Sequence, residues 1–465
     1  MIMSRGFATL EILIALFVVS VTLVAVTLVT LGMPYVLESA RAHREALALS
    51  SGSLARELSR GAGAFDTLTS SATTTDGTYA HSLSIEIMPG GIMKRLVSRV
   101  EWHDSFGKTR SLSLETLASD YENAAGNACP GLPIGDWDSP SVRTSSLTLP
   151  PIAGSAFADG MLIAIASTTR ANGDPVFFSF MNPEISLETS VRTMDNLAST
   201  TVGYLAVAAS SRVAYAITAE STCPDASLCA RLDSVRIEAE SDPEIIDSYP
   251  IPPARSVLYQ GGQVYVGLRA NPAWPELLVF STDSSGIPDR IGDAEIGFSV
   301  NSLVTSPSSL FLATSDNRSG GGAVQSFDRS DIRPGMHAAS ASALAGAGIS
   351  QRITRLGHSL YVGRSAPLNS KELYVLAAED ITHESFSRDM DSSITGMAVR
   401  GPRAFLLTKT ALSVWNMTGT GLTKDEYEYT LPIGTNGTSL SCSSHSIYMG
   451  SGGNGHGYVT AFAGS

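Results

Sequence analysis

Val264-Tyr265-Val266 and, shortly after it, Leu277-Leu278-Val279-Phe280 are two β-branched and aromatic runs with a polar turn beyond them. Runs of this kind read as neighbouring strands. The first run has counterparts along the chain: Leu162-Ile163-Ala164, Ala214-Tyr215-Ala216, Leu310-Phe311-Leu312, Leu360-Tyr361-Val362, Ala404-Phe405-Leu406 and Ile447-Tyr448-Met449. Counting Tyr265, the seven central residues are separated by 52, 50, 46, 50, 44 and 43 positions. The second run also recurs, as Leu373-Tyr374-Val375-Leu376, Leu412-Ser413-Val414-Trp415 and Tyr458-Val459-Thr460-Ala461-Phe462. A period of about 40–50 residues with several strands per unit is the signature of a β-propeller.

A four-stranded blade cannot cover both of its faces alone. Packing blades around an axis covers the faces and leaves only short edges. The last copy ends at Ser465 one strand short. The alternating segment 143–150, with Ser145, Leu147 and Leu149 on one side, is the expected clasp that completes the seventh blade. An open sandwich or a solenoid is the competing architecture; solenoid repeats are usually shorter and more regular.

Outward from the repeats, the N-terminal part is different in kind. An apolar run reaches from Leu10 to Met33, interrupted by Glu11 and a few hydroxyl residues. A carboxylate in such a run is costly and is by default functional. From 35 to 62 the pattern becomes amphipathic, with Leu37, Ala40, Leu47, Leu54 and Leu58 forming the expected buried stripe. Three alternating segments follow, at 81–88, 94–103 and 109–117, and read as a three-stranded meander. Residues 120–142 read as a linker.

The order Gly6-Phe7, then Glu11, then the apolar run resembles the class III signal of type IV prepilins and pseudopilins. Ala8 stands where that family usually has Ser or Thr. The resemblance implies cleavage by prepilin peptidase after Gly6 and methylation of Phe7. It also implies pairing of Glu11 with the N-terminus of a neighbouring subunit during filament assembly. The implied partners are other pilin subunits, prepilin peptidase and the inner-membrane assembly platform.

The expected fold class is therefore mainly β with a long N-terminal α-helix: a pilin-like α+β stalk domain followed by a seven-bladed β-propeller. The expected domains are a leader at 1–6, a transmembrane or filament-core helix at 7–33, a stalk with a pilin-like meander at 34–119, a linker at 120–142 and the propeller at 143–465. The expected localisation is single-pass in the membrane before assembly, then the cell surface or an extracytoplasmic filament.

The formal net charge is −13 and no Lys/Arg run occurs, which disfavours nucleic acid as a partner. Cysteines number four, an even count that suggests disulfides in an exported protein. Cys223 and Cys229 bracket a short loop, leaving Cys129 and Cys442 as a long-range pair.

No catalytic motif stands out. The eight histidines are dispersed, and no GxSxG, SxxK, HExxH or Walker sequence is present. Asp136-Trp137-Asp138 and Asp389-Met390-Asp391 lack the Gly and distal Glu of an EF-hand loop. We expect no cofactor, no metal and no enzyme activity. Loops between second and third strands, at 167–174, 218–230, 270–275 and 450–457, are where a surface, protein or glycan ligand is expected. Trp274, between Pro272 and Pro275, is the candidate contact residue. The expected function is a minor pilin-like subunit displaying the propeller for adhesion or partner binding. A pseudopilin of a secretion or DNA-uptake system, or a membrane-tethered propeller enzyme, is the alternative.

Overall fold

The computed structural model describes residues 5–61, 71–119 and 137–465, except for short internal stretches, the largest at 88–92, 146–150, 170–174, 182–190 in part, 194–202, 219–227 and 238–241. The chain divides into two compact units, one of 1–88 with 93–119 and one of 89–92 with 120–465.

Unit one holds α1 (Arg5–Gly61) and an antiparallel meander. The helix runs through Pro34 without a break. Its buried face differs from the expected stripe. Ala46, Ser50 and Leu54 are buried at four-residue steps, with Ala42 and Leu49 beside them, while Leu47 is 42% exposed. Small residues let the sheet approach the helix closely. Leu54 packs on Leu83 and Leu96, and Ala46 packs on Val100 and Trp102. Between these clusters lies a polar contact: Ser98 Oγ accepts from Ser50 Oγ at 2.9 Å and lies 3.0 Å from His81 Nε2.

The meander has four strands, not three: Ser71–Asp76, Tyr79–Ile87, Met93–His103 and Thr109–Ser119. The additional edge strand, Ser-Ala-Thr-Thr-Thr-Asp, has no apolar alternation to announce it.

Unit two is a ring of seven four-stranded antiparallel sheets. Blades one to six span 152–193, 204–251, 254–294, 300–342, 349–388 and 396–430. Blade seven joins Asn436–Cys442, Ser446–Gly453 and His456–Ala463 to Ser141–Thr144 from before blade one. In each blade the first strand touches the first strands of both neighbouring blades, and blade seven's first strand touches that of blade one, so the ring is closed. The aromatic runs of the repeat are the second strands, and Tyr265, Phe311, Phe405 and Tyr448 lie in the core between blades.

The clasp is displaced from the expected position. It begins two residues earlier: Val142 pairs with Phe462 and Thr144 with Thr460, and the described pairing covers 141–144. Ser145 N still donates to Val459 O at 2.8 Å, and 146–150 lie outside the described residues.

Two expectations are overturned. The fold class is corrected from a pilin-like α+β stalk plus propeller to a nearly all-β chain. Eight antiparallel sheets dominate the described residues, and α1 is the long helix packed on one of them. The single-pass membrane localisation is corrected as well. Among the described residues no helix is long and apolar enough to cross a membrane.

Candidate partner-binding face

Antiparallel order puts the loops between second and third strands on the same face as those that lead from a fourth strand into the next blade. The first strands begin at this face, and six of the seven carry a β-bulge there. The bulges fall between Ile152 and Gly154, Tyr204 and Ala206, Ala254 and Ser256, Val300 and Ser302, Ser350 and Arg352, and Gly437 and Ser439. Blade six keeps a regular register. A bulge leaves its extra residue unpaired and re-aims it. Ala153, Leu205, Arg255, Asn301, Gln351 and Thr438 are those residues, and Arg255 and Leu205 are exposed.

Buried carboxylates fix the loops of this face. Glu276 precedes the third strand of blade three, and its Oε2 accepts from Ile296 N at 2.6 Å and Gly297 N at 3.0 Å. Glu372 holds the same place in blade five and accepts from Met390 N at 2.7 Å. Burial pushes the Glu372 carboxyl above its ordinary range; the Met390 N–H opposes that shift and nearby Asp389 adds to it. In blade four, Asp316 accepts from the backbone N–H of Arg318 and of Gly322, at 3.0 and 2.7 Å, and from the Arg318 guanidinium. Burial alone would raise the Asp316 carboxyl, but the hydrogen bonds from Arg318 and Gly322 outweigh it and hold the group low. The Arg318 guanidinium lies 4.4 Å from the centroid of the Phe298 ring, across the base of the same loop.

Sequence reasoning missed Glu276 and Glu372. Their signal is the repeated Glu-Leu-Leu-Val-Phe and Glu-Leu-Tyr-Val-Leu, in which the acid precedes each quoted third strand.

Trp274 is half-buried. It packs against the core shared by blades two and three, and its Nε1 donates to Arg269 O at 3.2 Å. The 450–457 segment is not a loop. Gly450 and Gly453 belong to the second strand of blade seven, and the turn is confined to the residues around Gly455. A Cβ on Gly453 would sit 1.9 Å from Gly434 O, so close approach of backbone, not turn geometry, demands glycine there.

Cys229 and Cys442 each take part in a disulfide, and no described cysteine is free. Cys129 and Cys223 lie outside the described residues. Gly6, Phe7 and Glu11 fall within α1, with their side chains outside the described set. Asp389 and Asp391 share the loop that Glu372 holds, and Asp136 lies outside the described residues. Among the described residues no group of three or more His, Cys, Asp or Glu is placed to hold a metal.

No family model matches the sequence, and no curated protein matches it. Several solved structures are similar to it in fold. The Cps50 (Swd1) β-propeller domain of Myceliophteria thermophila is 11% identical, covering 70% of this chain and 100% of that one at a TM-score of 0.49. Sqt1 of Saccharomyces cerevisiae is 7% identical, covering 68% and 83% at 0.44. Hsv2 of Kluyvelomyces marxianus is 12% identical, covering 64% and 89% at 0.40. Likenesses this distant carry no argument about function, and the propeller assignment rests on the closed ring of sheets.

Proposed function

We propose that the propeller is a non-enzymatic partner-binding module carried by a pilus-type filament subunit. The observation that supports the binding role is the closed ring itself. Its strands satisfy one another, so the exposed loop residues of the bulged face, apart from the anchors Glu276, Asp316 and Glu372, are free to vary without costing the fold. Filament membership is supported by the Gly6, Phe7 and Glu11 spacing and by the continuity of α1 from Arg5 to Gly61. Leu13, Leu16, Phe17 and Leu23 are each at least 60% exposed within the chain, leaving an apolar surface for neighbouring subunits to cover. Processing after Gly6, with Phe7 as the mature N-terminus and Glu11 as the assembly carboxylate, completes this reading. So do local pairing of Cys223 with Cys229 and long-range pairing of Cys129 with Cys442.

The test separates the two halves. In cells that assemble the filament, Glu11→Ala should leave cleavage after Gly6 intact and reduce recovery of the protein in sheared filaments at least tenfold. Unchanged recovery defeats the filament reading and leaves the binding role of the propeller to be judged by its own ligand.

A further inference from the structure

The first strands of the propeller carry positive formal charge only. The protein has a formal net charge of −13. These seven strands nonetheless contain Arg255, Arg352, Arg355 and Arg400 and no Asp or Glu. They form the innermost ring, so the strands that line the axis of an acidic molecule carry arginines and no acid.

Within that ring one residue breaks a pattern. The position after each bulge is small: Gly154, Ala206, Ser256, Ser302 and Ser439. In blade five it is Arg352. The serines show where this position points. Ser256 Oγ donates to Val300 O of the next blade at 3.0 Å. Ser302 Oγ accepts from Ile353 N of the next blade at 3.3 Å, and Ser439 Oγ lies 3.1 Å from Ser155 Oγ across the closing seam. By the same register Arg352 is turned toward blade six, whose first strand has no bulge and opens on Gly396.

Arg352 Nη1 donates to Gln351 O at 3.0 Å, and no carboxylate among the described residues pairs with the side chain. The side chain is half-buried, and desolvation holds its pKa below the ordinary arginine value. A partly desolvated charge without a counter-charge favours an anion beside it, and a planar fork of donors suits a carboxylate or phosphate.

We propose that Arg352 marks an oxyanion site at the seam of blades five and six, opening on the bulged face and taking a carboxylate or phosphate group. Gln351, partly exposed at the bulge, supplies an adjacent amide donor. Arg255, exposed at the equivalent bulge of blade three, adds positive potential at the same end of the axis. The bland alternative is an arginine whose stem fills the seam and whose charge has no ligand.

The inference does not depend on the filament reading, because its test uses purified full-length protein and small anions. Calorimetric titration with inorganic phosphate and, separately, with glutarate is run at constant ionic strength against chloride. We expect saturable one-to-one binding of at least one anion, and the one that binds distinguishes a phosphate ligand from a carboxylate ligand. Arg352→Ser, the residue used by other blades, should weaken that binding at least tenfold while leaving the circular dichroism and the melting temperature in chloride unchanged. Arg352→Lys should bind with intermediate affinity. Should Arg352→Ser fail to fold, Arg352→Gln is read in the same titration. Absence of saturable binding to the wild type overturns the proposal, as does wild-type affinity in the Ser or Gln variant.

Discussion

Blade three and blade seven have the same four-stranded layout, but they are made differently. Blade three is continuous in sequence, and its fourth strand, Pro288–Ala294, pairs along its length with Leu277–Thr282. Blade seven borrows its fourth strand from the other end of the propeller, and only Ser141–Thr144 take part. Three of those four residues are exposed, and Val142 is the apolar one, 37% exposed over its pairing with Phe462. The clasp therefore adds little apolar burial. Closure depends on backbone pairing and on how tightly blade seven seats against blade one.

That seating is where glycine matters most. A Cβ on Gly452 would fall 2.7 Å from the Pro151 backbone at the entry to blade one and 3.2 Å from Ile152 N. In blade three the closest equivalent constraint, at Gly267, is against the side chains of Ser256 and Val300, which can give way more readily. The comparison teaches that the repeated blades tolerate adjustment, whereas the closing seam is fitted backbone to backbone.

The sharpest way to break this contrast is Gly452→Ala. Backbone cannot yield as a flexible side chain does, so the substitution should cost about 2–3 kcal/mol, at the upper end of the usual overpacking range. Denaturant melting measures it; a change within error of zero would mean that the seam is looser than described.

A smaller effect is expected in a contiguous blade. Asp316→Asn removes a buried carboxylate that accepts four hydrogen bonds within one loop. It should destabilise by about 1–2 kcal/mol at neutral pH, in line with charged hydrogen bonds. The folded-state pKa of Asp316 is depressed. Its contribution is therefore complete above the unfolded carboxylate pKa, near about 4, and is lost as pH falls through the lower folded value. The gap between wild type and Asp316→Asn should close over that acid window. A gap that persisted at the acid end would show that the shape of the loop, not the charge, carries the effect.

The contrast also explains what could be read in advance. The aromatic second strands were legible because Tyr265, Phe311 and their counterparts are buried on both sides, so the hydrophobic signal recurs with each blade. That a strand from before blade one completes the ring was legible from the shortfall at the C-terminus. Its start was not, because four residues with a single apolar side chain carry no period. Leu147 and Leu149 drew the reading toward 143–150. In α1 the strongest leucines misled for a related reason: the buried stripe uses Ala46 and Ser50, small residues that spacing rules discount. Glu276 and Arg352 take their meaning from partners in neighbouring loops and blades. Their roles follow from register between strands, which composition does not encode.

The central claim is that seven blades close through Ser141–Thr144. Thr144 and Thr460 are directly opposed, with their hydroxyls 3.2 Å apart. Cysteines placed at both positions, Thr144→Cys with Thr460→Cys, should oxidise to an intramolecular disulfide in the folded protein. Mass spectrometry of the digest should then show one peptide pair joining the two segments. Two cysteines that remain accessible and unlinked under oxidising conditions, with the fold intact, would contradict closure by this strand.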